Sequence, residues 1–144
     1  MRNYFGLAAA AGMLGWVAAA GAQAPAVGNA FDGIYRVVSS TNVNATYTDR
    51  NGRMATCPNR KPGPLHIANG EARYTTATGY KLRGNVGPQG ELAMGLVAPS
   101  NSRNAGSQPL NLRVLGQIDT TGTVRIRQTG ASCSYDFVWQ KAAR

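Results

Sequence analysis

From residue 31 onward the chain alternates. Apolar side chains recur at every second position over short runs, and Gly, Pro, Asn or Asp ends each run. No long stretch keeps apolar positions at helical spacing. A period of two sends successive side chains to opposite faces of a strand, so the pattern predicts half-buried antiparallel sheet and excludes a helical bundle. Strands are predicted at 31–38, 43–48, 65–68, 71–76, 79–86, 91–97, 110–118, 123–129 and 134–140. Asn69-Gly70 favours a type I′ hairpin because both residues tolerate positive φ. Gly87-Pro88-Gln89-Gly90 and Asp119-Thr120-Thr121-Gly122 also carry hairpin chemistry. Residues 49–64 and 98–109 read as longer loops, the second of them polar. Gly84 to Met94 and Gly116 to Ile126 share one pattern, which reads as two similar hairpins and not as a repeat array.

The alternation sorts residues onto two faces. One collects Leu65, Ile67, Tyr74, Tyr80, Leu82, Val86, Leu92, Met94, Leu96, Leu112, Val114, Ile118, Val124 and Ile126. Tyr135, Phe137 and Trp139 join it. The other collects Arg73, Lys81, Arg83, Arg113, Arg125 and Arg127, with Asp136 within reach of a neighbouring strand's arginine. Many short strands without a helix predict an all-β fold, a small antiparallel barrel or a β-sandwich. Gly84 and Gly116 fall inside strands on the apolar face. They suit tight curvature there and favour the barrel, which also hides sheet edges.

The first residues have a different character. Arg2 precedes an apolar run from Phe5 to Ala20, and Ala20-Gly21-Ala22 is a small-x-small site. This layout predicts a secretory signal peptide over 1–22. The apolar run is shorter than the about 20 residues a membrane span needs. No cysteine follows it for a lipid anchor and no twin arginine precedes it, so a Sec-type route to a bacterial periplasm or medium is expected. Residues 23–30, "QAPAVGNA", read as a flexible lead, and 31–144 as a single β domain.

Cys57 and Cys133 are the only cysteines. An even pair in an exported chain predicts one disulfide. The loop it closes covers most of the domain, and the chain-entropy model values such a closure at about 4.5 kcal/mol.

Catalytic patterns are weak. His66 is the one histidine and points away from the apolar face on the strand reading. Asp32, Asp49, Glu71, Glu91, Asp119 and Asp136 are scattered, with turns or strand starts explaining Asp119, Glu71 and Glu91. Cys57, Cys133 and His66 have no short-range metal-ligand spacing. No glycine loop opens a helix to cradle phosphate. No catalytic residue, metal or cofactor is therefore expected. The sequon Asn44-Ala45-Thr46 is too short a pattern to carry weight.

The net charge of +9 falls only by one when Arg2 is removed with the leader. Nucleic acid is not an expected partner outside the cytoplasm; an anionic envelope polymer, a lipid headgroup or an acidic protein is. The six cations of the polar face are the candidate surface, since like charges on neighbouring strands repel and invite an anion.

"FDGIYRV" at 31–37 resembles the G-x-W opening of lipocalin-like barrels, with Tyr35 in the tryptophan place. That likeness implies a ligand-carrying barrel. A broader resemblance joins the signal peptide, Phe31-Asp32-Gly33-Ile34-Tyr35, Cys57, the Gly116–Val124 hairpin, and Gly130 to Trp139 with its G-x-x-C-x-Y and late tryptophan. These features resemble small exported bacterial proteins of uncharacterised function, and imply location without implying an activity. The expectation is an exported, non-enzymatic binding module for an anionic envelope component or a small ligand. The ligand would enter a barrel mouth lined by Tyr74, Tyr80 and Tyr135, provided the interior is not filled. The alternatives are an inhibitor of an envelope hydrolase, using loop 98–109, and an enzyme.

Overall fold

The computed structural model describes residues 29–98 and 110–143. A short 3-10 turn at Asn29–Phe31 precedes β1 (Gly33–Asn42). Then follow β2 (Thr46–Thr48), β3 (Met54–Thr56), β4 (Leu65–Ala68), β5 (Glu71–Thr75), β6 (Lys81–Val86), β7 (Glu91–Ala98), β8 (Leu110–Ile118), β9 (Thr123–Thr129) and β10 (Ser134–Lys141). β4 to β10 form an antiparallel meander, and β1 closes it by pairing with both β10 and β4. The fold is a closed eight-stranded barrel, with β2 and β3 as a separate hairpin. The expected signal peptide and residues 23–28 of the lead lie outside the described residues.

The alternating pattern set most of these strands. Two regions differ from expectation. The first strand begins later than predicted and runs on to Asn42, across a register shift between Val37 and Ser39 that breaks its alternation. The 43–48 run yields only β2, which pairs with Met54–Thr56 inside the segment read as a loop. Three-residue strands are too short for a periodic signal. Asn69 and Gly70 turn with φ of 52° and 76°, as the hairpin chemistry requires.

Closure fixes the bore. One row of facing residues runs Gly33, Ile67, Ala72, Gly84, Met94, Val114, Gln128, Tyr135 and back to β1 at Asn42. Allowing one residue for the irregularity in β1, the stagger is about eight positions for eight strands, a combination whose interior side chains can fill. They do fill it: Leu65, Leu82, Val114, Val124 and Trp139 have no exposed surface. Tyr35 and Ala72, which the alternation alone did not assign to the core, are buried with them. The narrow bore explains two of the strand glycines, Gly84 and Gly116. A Cβ on Gly84 would strike Ala93 O, and one on Gly116 would strike Arg125 O.

β10 carries the aromatic spine. Tyr135 and Phe137 stack at 5.7 Å, Phe137 meets Trp139 edge-on at 5.6 Å, and Tyr74 tilts onto Trp139 at 5.4 Å. Tyr80 departs from its predicted place. It stands 38 % exposed, because it precedes β6 and sits at the β5–β6 turn.

β1 pairs with β4 only over Gly33–Tyr35, so the upper part of that seam needs another filler. Residues 57–64 supply it as a strap. Asn42 donates to Cys57 O, Tyr135 to Pro58 O, and Ser40 to Arg60 O. Trp139 Nε1 donates to Gly63 O, and Gly63 N donates to Thr75 O on β5. The predicted disulfide locks the strap: Cys57 and Cys133 are 76 residues apart in sequence, with Cα atoms 5.7 Å apart.

Two stability predictions follow from this packing. Trp139→Ala removes the centre of the spine and the strap's hydrogen bond, and urea unfolding should record a loss of about 3–5 kcal/mol. Reduction of the disulfide should lower the unfolding free energy by about 4–5 kcal/mol in the same assay, since it releases a long closed loop.

Candidate functional site

Side chains of the outer wall alternate with those of the core. A second row of facing residues therefore circles the barrel outside: Ile34, His66, Arg73, Arg83, Gly95, Arg113 and Thr129. Arg73 and Arg83 face each other across β5 and β6, and Lys81 lies one outward position along β6. Gly95 separates Arg83 from Arg113. A Cβ there would meet nothing closer than Leu112 O at 3.5 Å, an ordinary contact, so packing does not demand a glycine. Its effect is an open notch between two arginines. A groove of about 310 Å³ over β4, β5 and β6 has His66, Arg73, Lys81 and Arg83 on its walls.

All six predicted cations are exposed, but they do not form one face. Closure wraps them around half the barrel, and acidic partners divide them. On β9, Arg125 Nη1 lies 3.2 Å from Asp119, and Arg127 makes a two-pronged pair with Asp136 at 2.8 Å for each bond. That pairing meets the expectation for Asp136. The Arg127 guanidinium, chiefly through its hydrogen bonds, holds the Asp136 carboxyl below its usual range. On β5, β6 and β8 the one acidic neighbour is Glu71, 3.8 Å from Arg83 and in solvent. Among the described residues, which include all six acidic side chains, no ion pair holds Arg73, Lys81 or Arg113.

Asp32 Oδ1 is buried without a hydrogen-bond partner among the described residues, and the remaining acids serve their own turns. Asp49 Oδ1 accepts from Asn51 N and Arg53 N, and Glu91 Oε2 from Gln89 N. Asp119 Oδ1 accepts from Thr121 Oγ1, Thr121 N and Thr123 N. The Thr121 hydroxyl leads these donors in lowering the Asp119 pKa to about 2. Both cysteine sulfurs are held in the disulfide, so neither is a nucleophile. Among the described residues no cluster of three or more His, Cys, Asp or Glu side chains is placed to hold a metal ion, and no helix is long and apolar enough to cross a membrane.

The barrel's two ends differ. Tight turns close the end at 69–70, 87–90 and 119–122, while the strap, the β5–β6 turn and the β9–β10 turn gather at the other. The filled interior overturns the deep ligand-carrying cavity that the lipocalin likeness implied. What remains at the open end is a recess of about 240 Å³. Tyr80 and Tyr135 line it as expected, and Tyr74 lies beneath it, donating to Gln128 Oε1 at 2.6 Å. Burial pushes the Tyr74 phenol far above its usual range, so it stays a proton donor. Gln128 and Arg60 belong to this recess and were not expected there. Gln128 had a legible signal: in "TVRIRQT" it follows Val124 and Ile126 at inward spacing, a polar residue in an apolar slot. Arg60 had none, since a strap has no period. Residues 99–109 of the loop proposed for inhibition lie outside the described residues.

Comparison with known protein families, with curated proteins and with solved structures yields no match for this chain.

The Asp119 turn generates a pH prediction. Its folded pKa lies below the unfolded carboxylate value of about 3.9. The stability it contributes is therefore present above pH about 4 and lost as pH falls through about 2. Melting temperature should drop over that window, and Asp119→Asn should flatten the drop.

Proposed function

We propose that this protein is an exported, non-enzymatic binding module that holds an anionic envelope component on the outer row formed by Arg73, Arg83 and Arg113, with Lys81 beside it. One observation carries the reading. The β9 arginines each have a carboxylate, whereas this set is left with a single loose contact, at 3.8 Å from Glu71. Facing Arg73 and Arg83 repel each other across neighbouring strands, at a cost to the free protein that a bound anion would relieve. The Gly95 notch widens the approach between Arg83 and Arg113.

The shape of the row favours the partner's form. Strands sit about 4.8 Å apart, so Arg73 to Arg113 spans roughly 14 Å of open wall. An open strip of cations suits an extended polyanion better than a small enclosed anion. Arginine's planar fork matches carboxylate and phosphate oxygens in pairs. The disulfide supports an oxidising compartment, where such polymers are exposed. A leader-like N-terminus supports the same location.

Retention on an immobilised polyanion over a salt gradient tests this reading. Arg73→Gln with Arg83→Gln, and Arg125→Gln with Arg127→Gln, change the net charge equally. The first pair should elute at clearly lower salt, with the slope of log affinity against log salt reduced by about 2. The second pair should stay near the parent. Equal shifts for both would mean that only net charge matters, and would sink the proposal.

A further inference from the structure

The recess at the open end is built differently from the outer row. Its floor is apolar: Tyr135 and Phe137 lie there with their rings nearly parallel, at 6°. Two buried polar residues interrupt that floor, Thr76 and Gln128, and the Thr76 hydroxyl is engaged by Thr78 Oγ1 and Tyr80 N. Gln128 is only 7 % exposed. Its oxygen is occupied by the Tyr74 hydroxyl, and among the described residues no group accepts from its Nε2. This nitrogen is not among the sealed, unpartnered polar atoms of the described residues, so it keeps access to the recess and is free to donate to a ligand there. Replacing the glutamine by an apolar residue would strand the Tyr74 hydroxyl, so the core uses the amide oxygen. The amide thus brings a donor that the core itself does not use.

Two further groups stand at the rim. The Tyr80 phenol is partly exposed, and Arg60 reaches the recess from the strap. None of the six carboxylate side chains lines this recess, and none forms an ion pair with Arg60. An amide donor and a cation above an apolar floor select a ligand with acceptor oxygens, negative charge and an apolar body. Size limits the body. The volume of about 240 Å³ equals roughly eight waters of liquid and falls below the range of drug-sized pockets. One ring with a short chain fits.

The geometry points to a second binding site, independent of the outer row: the open-end recess takes a small monocarboxylate with an aromatic or compact aliphatic body. The body lies on Tyr135 and Phe137, and the carboxylate accepts from Gln128 Nε2 and pairs with Arg60.

Heteronuclear NMR titration of the full disulfide-bonded protein tests this with three probes: phenylacetate, 2-phenylethanol and acetate. Phenylacetate should saturate, shifting the Gln128 side-chain amide together with the backbone amides of 77–80 and 130–133. The neutral alcohol and the bodiless acetate should each bind at least about tenfold more weakly, since each lacks half of the recognition. Arg60→Gln should weaken phenylacetate about tenfold and leave 2-phenylethanol unchanged. Gln128→Glu keeps an acceptor for Tyr74 but replaces the amide donor by a carboxylate, so lost phenylacetate binding is expected while the dispersed spectrum of the folded barrel is kept, at some cost in melting temperature. Shifts that never saturate, or equal binding of all three probes, would overturn the site. So would phenylacetate shifts centred on Arg73 and Arg83, which would assign the carboxylate to the outer row and leave that reading standing.

Discussion

Eight strands closed with a stagger of about eight residues leave a bore that side chains fill, and the rest of the molecule follows from that narrowness. Neighbouring strands approach closely enough at Gly84 and Gly116 that a Cβ would strike the opposite backbone. The aromatic residues of β10 occupy the axis, with Trp139 fully enclosed. With the bore filled by side chains, the candidate binding surfaces are the outer wall and the shallow recess at one end.

Closure also leaves a defect, and the strap repairs it. β1 is long, β4 is short, and their pairing stops at Tyr35. The strap over 57–64 fills the remainder with backbone groups, so its carbonyls need donors. Asn42, Ser40, Tyr135 and Trp139 provide them. The buried Tyr135 and Trp139 thus do two jobs, packing with their rings and satisfying the strap with their polar tips. A segment rich in Pro and Gly has little ordered structure of its own, and the disulfide limits the freedom it would have in the unfolded chain. The staple therefore acts on the one part of the wall that strand pairing does not hold.

Charge on the outer wall divides according to where acids fall in the sequence. Asp119 caps the β8–β9 turn and reaches Arg125; Asp136 faces Arg127 across β9 and β10. No turn or strand delivers an acid to Arg73, Lys81 or Arg113. The candidate surface is thus the part of a basic band that the protein's own carboxylates do not compensate, with Gly95 opening its centre.

Much of this was legible beforehand, for a definite reason. Strand side chains alternate with a period of two, so Leu82, Val114, Val124 and Trp139 could be placed inside, and Arg73, Arg83 and Arg113 outside, without knowing any pairing. Two cysteines allow one bridge. Pattern alone failed where the period fails: at the irregularity in β1, in the short hairpin of β2 and β3, and along the strap that carries Arg60. The sequence by itself determined the β class, the two faces, the staple and the sign of the surface charge, because these depend on local spacing and composition. Only the tertiary structure decided how far the sheet closes, which arginines keep an acid beside them, and that Gln128 lies above Tyr74 in a recess. Those facts depend on register and stagger between strands far apart in the chain, and no local spacing encodes them.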